Sequence, residues 1–396
     1  MKLHFQHPPF SFEFVRILGE AVAGGSDINE CFATAARITE GDFESWHQAW
    51  KETAERIHQT AVACLARGHP VSAREAFLRA SNYYRCAEFF MHMEIGVTDP
   101  RARATYEKSV ACFGQALPLL PFPAEEVSIP YEGAALPAYF FQVGESGKAR
   151  PTLLVHGGYD STMEEQYFET VPAALQRGYN CLTFEGPGQG RLIRQHDLPF
   201  RPDWENVVTP VVDYALTRPE VDPARLCLEG RSLGGYLAPR AAAFEHRLAA
   251  CVAIDGVFSL MPAQFEALVN RSRPISEEHI TAGLEQAMRQ NPVMRWAICQ
   301  GMWTMQAGSL ADFARQAASY TLEGLAGQVT CPTLVCDAEQ DHFFAGQPQR
   351  LHEALRCPKT YLRFTAEDAA EEHCHAGAAL VLNQRVFDWL DETLKA

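Results

Sequence analysis

One stretch, Leu226–Tyr236 (LCLEGRSLGGY), constrains the fold of this chain more than any other. Its first three residues are apolar and predict a short buried strand, and the residues from Leu233 onward predict a helix. Between them lies the sequence Gly-Arg-Ser-Leu-Gly, which matches G-x-S-x-G with Ser232 at its centre. Glycines two positions before and after a serine let strand and helix approach without a Cβ clash, which exposes the hydroxyl on a tight turn. The pattern predicts a nucleophilic Ser232, although alone it is equally typical of a glycine-rich turn with a solvated serine.

The sequence around this turn alternates between strand and helix patterns. An antiparallel hairpin is predicted over residues 127–143. Strands are then predicted at 151–156, 179–184, 226–228, 251–254, 332–336 and 360–364, with helices at 164–177, 204–216, 349–355 and 377–395. Alternation of this kind predicts an α/β fold with a mostly parallel sheet flanked by helices.

Residues 1–122 carry helical patterns and almost no strand patterns. Helices are predicted at 11–23, 27–38, 42–68 and about 72–93, the last with a capping box formed by Ser72 and Glu75. Thr98, Asp99 and Pro100 predict the start of a fifth helix that ends near Leu117. A solenoid of paired helices is the alternative, but no internal period is evident.

A second helical region is predicted inside the α/β part. Residues 256–330 contain no strand pattern and are too many for a bare loop, which predicts a helical insertion. We therefore predict a helical region over residues 1–122 and an α/β domain over 123–396. The helical insertion at 256–330 lies within the α/β domain.

A nucleophilic serine needs a base and a group that orients the base. Asp341 follows the strand at 332–336, and His373 lies between the last strand and the last helix, so the order Ser, Asp, His suits an open α/β sheet. Asp337 and Glu339 are alternative acids, and His375 is the alternative base. A metal site built from His373 and His375 is disfavoured, because no clustered carboxylate or cysteine partner stands out.

The predicted reaction also needs two backbone N–H donors for an oxyanion. Leu233, which follows the serine, is one candidate. Gly158 or Tyr159, in the His-Gly-Gly-Tyr turn after the strand at 151–156, is the other. A second glycine loop, GPGQG at 186–190, resembles a phosphate-binding loop, but it lacks the Lys-Ser/Thr that would follow in a P-loop.

Charge and cysteine usage narrow the classes of partner. The formal net charge of −15 argues against nucleic acid and anionic membrane surfaces. Twelve scattered cysteines without a C-x-x-C pair, in a chain that begins without an apolar leader, favour buried thiols in a reducing cytoplasm. No apolar run is long enough to span a membrane. No cofactor is predicted.

Together HGGYD, GPGQG, GRSLGG, DAEQD and EEHCH resemble the α/β-hydrolase fold family. The resemblance covers roughly residues 70–396 and is closest to a subgroup that includes 2,6-dihydroxypseudooxynicotine hydrolase and the fungal polyketide chain-shortening hydrolases. It implies that the helical N-terminus and the insertion cover the active site, and it is compatible with a homodimer. Glu185 departs from the aspartate expected in many relatives.

The expected activity is hydrolysis of a C–C bond next to a carbonyl, or of an ester, in a small aromatic or polyketide-like molecule. Thioester hydrolysis, acyl transfer or cyclisation on the same triad is one alternative, and a non-catalytic binding protein is another. Asp255, Tyr83 and Trp303 are candidate substrate contacts. Further aromatic candidates for the cavity wall are Trp46, Trp50, Tyr84 and Trp296. For each aromatic candidate taken alone, core packing at the domain junction is the favoured alternative.

Overall fold

The computed structural model describes residues 3–97, 99–144, 147–261 and 276–395. Its centre is one eight-stranded sheet. The strands are β1 (Ala124–Tyr131), β2 (Ala134–Phe141), β3 (Arg150–His156), β4 (Asn180–Phe184), β5 (Val221–Arg231), β6 (Ala250–Ile254), β7 (Thr333–Ala338) and β8 (Lys359–Phe364). Their order across the sheet is β1-β2-β4-β3-β5-β6-β7-β8. The first two pairings are antiparallel and the rest are parallel, which confirms the predicted mostly parallel sheet.

The first part of the chain is helical, as predicted. Its helices are α1 (Pro8–Gly19), α2 (Ile28–Ala35), α3 (Phe43–Ala66), α4 (Pro70–Glu88) and α5 (Pro100–Ala116). The predicted capping box at Ser72 and Glu75 is wrong, because α4 already begins at Pro70, whose fixed φ suits the first helical position. Asp99 caps α5 by accepting a hydrogen bond from the N–H of Arg101. Thr98 lies outside the described residues.

Further helices lie between and after the strands. They are α6 (Met163–Glu169), α7 (Val171–Gln176), α8 (Gly190–His196), α9 (Glu205–Leu216), α10 (Gly234–Ala242), α11 (Glu277–Gln290), α12 (Pro292–Thr304), α13 (Leu310–Ala318), α14 (Gln347–Ala354) and α15 (Ala379–Thr393). The single helix predicted at 164–177 is divided at Thr170, since Pro172 has no N–H to continue the hydrogen-bond ladder. Helices α11 to α13 form the described part of the insertion. Within the part of the chain that the structure describes, no helix has the length and apolar character needed to cross a bilayer.

The helical first part and one face of the sheet share a hydrophobic core. Trp46, Trp50 and Tyr83 belong to the same buried cluster as Tyr139 of β2 and Phe387 of α15. A second cluster covers the opposite face, where α9 and α10 pack. The boundary near residue 122 is therefore a change of secondary structure within one continuous core.

Candidate active site

Ser232 stands on the turn that joins β5 to α10. Its φ is 61°, in the left-handed region that non-glycine residues rarely adopt. The flanking glycines are required by the packing: a Cβ on Gly230 would lie 2.1 Å from the carbonyl oxygen of Gly234, and a Cβ on Gly234 would lie 2.8 Å from that of Gly157. The sequence thus forces a tight turn that presents the Ser232 hydroxyl at the carboxyl edge of the sheet.

His373 contacts Ser232 from the segment between β8 and α15. Its Nε2 lies 2.9 Å from Oγ of Ser232. The alternative base, His375, is buried, with Nδ1 2.9 Å from the carbonyl oxygen of Ala370 and Nε2 3.6 Å from Oδ1 of Asp255. The structure therefore brings His373, and not His375, to the serine.

Asp341 lies on the other side of the same imidazole. Its Oδ2 accepts a hydrogen bond of 3.1 Å from Nδ1 of His373, and its Oδ1 accepts from the N–H groups of Phe343 and Phe344 at 2.7 and 3.1 Å. The alternative acids have other partners, since Asp337 accepts from the Tyr361 hydroxyl and Glu339 from the N–H of Ala366.

The charges around His373 favour its protonated form. Burial alone would lower the pKa of this imidazole, but the carboxylates of Asp341 and Asp255 raise the pKa well above its ordinary value. The arrangement suits a base whose conjugate acid is stabilised once it has taken a proton.

Asp255 is a third residue in contact with His373. It follows β6 with a φ of 54°, is fully buried, and brings Oδ2 to 2.9 Å from Nδ1 of His373. The same oxygen accepts a short hydrogen bond from the backbone N–H of Cys374. Asp255 is a candidate substrate contact from the sequence, but its side chain lies behind the imidazole and does not line the cavity.

Asp255, His373 and Cys374 bring potential metal-ligand atoms within 4.8 Å of one another. These atoms already contact each other in the described structure, with Sγ of Cys374 3.4 Å from Nε2 of His373. Burial raises the pKa of the Cys374 thiol to about 12, so it is a protonated thiol at neutral pH rather than the thiolate that metals prefer. We interpret the cluster as part of the hydrogen-bond system around His373.

The predicted oxyanion donors lie beside the serine. Gly158 approaches so closely that an added Cβ would lie 2.7 Å from the backbone N of Leu233. Among the residues that the structure describes, none accepts a hydrogen bond from the N–H of Leu233 or of Tyr159. Both residues, with Gly158, line the cavity above Ser232, where a substrate oxygen could accept from them.

The GPGQG loop at 186–190 supports the turn at 156–160, which carries Gly158 and Tyr159 and which we call the oxyanion loop. Nε2 of Gln189 donates to the carbonyl oxygens of Gly157 and Gly158 at 2.8 and 3.0 Å, while its Oε1 accepts from the N–H of Gly186. The carboxylate of Glu185 accepts from the backbone N–H groups of Met163 and Arg191, which begin or adjoin α6 and α8. In sequence this loop resembles a phosphate site, and no local pattern indicates the supporting hydrogen bonds of Gln189 and Glu185.

A cavity of about 480 Å³ extends over Ser232 between the N-terminal helices, the insertion and the sheet edge. Towards the insertion its wall is apolar and includes Ile280, Leu284, Met294 and Phe313. Of the aromatic candidates proposed from the sequence, Trp296 lines the cavity. Tyr159, which the sequence predicts as an oxyanion donor, lines it as well.

The remaining aromatic candidates pack elsewhere. Tyr83 is fully buried, and its hydroxyl donates to Glu30 and accepts from the N–H of Asp27. Trp303 stacks on His92 with ring centroids 3.5 Å apart. Trp46, Trp50 and Tyr84 lie in the core of the helical region. The cavity wall therefore excludes Tyr83 and Trp303, as it does Asp255.

The cavity wall on the α1 side is polar. Arg16, Asp160 and Glu169 line it, and with their buried partners Glu165 and Arg85 they form what we call the polar arm. Arg16 of α1 donates to both oxygens of Glu165 and to Asp160, and Arg85 contacts Glu165 at 3.2 Å. Carboxylates outnumber cations here, and burial raises the pKa of Glu169 to about 7. This polar arm was not predicted, because its members come from α1, α4, α6 and the oxyanion loop and share no local pattern.

The family pattern, the similar sequences and the similar solved structures all indicate alpha/beta hydrolases. The sequence pattern of the alpha/beta hydrolase family matches residues 152–382. Hydrolase acrC of Aspergillus aculeatus is 36% identical over 416 residues, covering 97% of this chain and 96% of that protein. The 20-hydroxy-prefusarin hydrolase FUS2 of Gibberella moniliformis is 33% identical, with the same two coverages. The crystal structure of 2,6-dihydroxy-pseudo-oxynicotine hydrolase is 23% identical, covers 95% of each chain and has a TM-score of 0.74.

Proposed function

The chain belongs to the alpha/beta hydrolase family and is an enzyme of that fold, and from that premise we propose that it is a serine hydrolase. The proposed nucleophile is Ser232, with His373 as general base and Asp341 as the group that orients it. The observation that carries the proposal is the 2.9 Å contact between Oγ of Ser232 and Nε2 of His373, with Asp341 on Nδ1, at the floor of a cavity.

The reaction follows from these positions. His373 accepts the hydroxyl proton of Ser232 as Oγ adds to the substrate carbonyl carbon, and the developing oxyanion accepts from the N–H of Leu233 and of Gly158 or Tyr159. Collapse of the adduct expels the leaving group, which takes the proton from His373 and leaves an acyl-serine. Water, deprotonated by His373, then adds to the acyl carbon. The adduct releases the acid, and Oγ of Ser232 takes the proton back from His373.

The same residues can cleave an ester or a C–C bond. An ester releases an alcohol, whereas a C–C bond releases a carbanion, so the substrate itself must stabilise that charge, as a 1,3-diketone or an acylated phenol does. A cavity with an apolar wall and a polar arm suits an aromatic or polyketide-like molecule. The names of two similar proteins, 20-hydroxy-prefusarin hydrolase and 2,6-dihydroxy-pseudo-oxynicotine hydrolase, support this substrate class.

The first experiment is labelling with a fluorophosphonate probe, which reacts with activated serines. We expect labelling of the wild type and none of Ser232→Ala, with strong loss in His373→Ala. His246→Gln, at an exposed position outside the cavity, is the matched control and should label as the wild type does. Labelling that persists in Ser232→Ala would identify a different nucleophile, and a folded wild type that does not label would favour a binding protein.

Substrate class is then tested with three compound types: aryl esters, acylated phenols and 1,3-diketones. Turnover of esters alone would identify an esterase, and turnover of the diketones would identify a C–C hydrolase. Transfer of the acyl group to an added alcohol in preference to water would instead favour the acyl transferase alternative.

The twelve cysteines support a reducing location. All are unpaired, and nine are buried. Such thiols survive where glutathione keeps them reduced, so we propose a cytoplasmic enzyme. Fractionation of cells that produce the protein from its own gene would test this.

A further inference from the structure

Two carboxylates face one nitrogen of His373. Oδ2 of Asp341 lies 3.1 Å from Nδ1 with the direction of a hydrogen bond, and Oδ2 of Asp255 lies 2.9 Å from the same atom as an ion-pair contact. A triad needs a single acceptor at this nitrogen, because Nδ1 carries one hydrogen. Asp255 is therefore in excess of what the proposed mechanism uses.

The backbone at Asp255 is strained in a way that brings its carboxylate to this position. Asp255, the residue after β6, lies in the left-handed region with a φ of 54°, a conformation that is unfavourable for a residue with a side chain. It is fully buried, and although burial raises the pKa of a carboxyl, the positive charge on His373 and the contact with Cys374 lower the pKa of Asp255 to about 2. Asp255 is thus a second anion next to the imidazole.

We propose that Asp255 is a second acid of the site. It is a positioning residue that holds His373 together with Asp341, and it accepts the hydrogen bond from Nδ1 of His373 when Asp341 is substituted. The inference rests on the proposed function of Ser232 and His373. Because the two aspartates follow adjacent strands, β6 and β7, they approach the imidazole from neighbouring points of the sheet edge. A small rotation of the ring would exchange one acceptor for the other.

A purely structural role is the alternative, since Asp255 also accepts from the N–H of Cys374 in the left-handed segment that carries the histidine. Substitution by asparagine separates the two roles. In Asp255→Asn the amide oxygen of the new side chain can still accept from the Cys374 N–H, while the negative charge beside His373 is lost. A purely structural role of Asp255 would be kept in this variant, whereas the role of a second acid would be lost.

The pH dependence of the rate separates the two roles, because loss of a purely structural contact would leave it unchanged. The groups that face His373 are Asp341 from the loop after β7, Asp255 from β6, the Cys374 thiol, and the His342 ring, whose centroid is 6.1 Å away. His375, with Nε2 3.6 Å from Oδ1 of Asp255, and Arg231 act on Asp255 in turn. Removing either aspartate charge lowers the pKa of His373, so a variant enzyme keeps its neutral base to lower pH.

The test measures kcat/KM for p-nitrophenyl acetate in Asp341→Asn, Asp255→Asn and the double variant. Removing the only orienting acid of a triad costs about 10⁴-fold. We expect Asp341→Asn alone to lose about 10- to 100-fold, Asp255→Asn to lose less, and the double variant to fall by about 10⁴-fold, more than the product of the single losses. The acid limb of the profile should move to lower pH in Asp255→Asn. Asp337→Asn, whose side chain bonds Tyr361 instead, is the matched control and should match the wild type.

Two results would overturn the inference. One is a loss of about 10⁴-fold in Asp341→Asn alone, equal to the loss in His373→Ala. The other is an Asp255→Asn enzyme with a wild-type rate and acid limb. Asp341→Asn decides the question even if Asp255→Asn does not fold. Wild-type activity in Ser232→Ala would instead refute the proposed function.

Discussion

The hydroxyl of Tyr159 donates a hydrogen bond of 2.9 Å to the backbone carbonyl of Ala297. Tyr159 belongs to the candidate oxyanion loop and Ala297 to α12 of the insertion. The contact is close enough that a Cβ on Gly301, one turn along α12, would lie 1.9 Å from the same hydroxyl. Gln300 adds a second link by donating to the carbonyl oxygen of Tyr159 at 3.2 Å. The insertion is therefore fixed to the loop that would hold the oxyanion.

Tyr159→Phe removes only the hydroxyl and should loosen this link. A net hydrogen bond is worth about 0.5–1.5 kcal/mol, so we expect kcat/KM for an aryl ester to fall by up to about tenfold with a small fall in melting temperature. Tyr179→Phe is the matched control, because its hydroxyl bonds Asp391 far from the cavity. An unchanged rate in a Tyr159→Phe enzyme would show that the link does not position the loop.

Gln189→Glu should weaken the oxyanion loop from behind. The substitution keeps the shape but replaces the Nε2 donor, which serves Gly157 and Gly158, with an acceptor that faces their carbonyl oxygens. A displacement of about 1 Å in such a loop can cost about 10²-fold, and we expect a fall in kcat of that order. Gln328→Glu, which replaces an exposed donor to the Gly324 carbonyl, should leave kcat unchanged. A Gln189→Glu enzyme with normal kcat would mean that the loop needs no brace.

The parts of the candidate site that have local sequence patterns can be predicted from the sequence alone. Ser232 is marked by the glycines that its turn requires, and His373 and Asp341 follow from their positions after strands. Asp255 also follows a strand, but nothing local shows that a left-handed backbone turns its carboxylate behind the imidazole. The polar arm around Arg16 could not be predicted, because it joins residues up to about 150 positions apart. Tyr83 and Trp303 were misleading because a large aromatic ring suits a buried core as well as it suits a cavity wall.

The pH dependence of the reaction should reflect His373. The base must be neutral to accept a proton, and its pKa is raised above the ordinary value by the carboxylates of Asp341 and Asp255. We therefore expect kcat/KM to fall as the pH drops through a value above about 6.5, the usual pKa of histidine. For stability the sign is reversed, since a raised pKa stabilises the fold below the unfolded value and this contribution is lost as the pH rises through the folded one. An acid limb at or below pH 6 would contradict the assignment of His373.

The apolar wall from the insertion should set the length of acyl chain that the cavity accepts. Ile280 of α11 lines the cavity and is only half-buried, so Ile280→Trp can fill space there without overpacking the core. We expect the ratio of kcat/KM for p-nitrophenyl octanoate to that for p-nitrophenyl acetate to fall by on the order of tenfold, because a few methylene groups lose their apolar contacts. Ile28→Trp, on the exposed face of α2, is the matched control and should leave the ratio unchanged. An equal loss for both esters would mean that the new ring obstructs the serine itself, and an unchanged ratio would mean that the acyl chain runs toward the polar arm beside Arg16 instead.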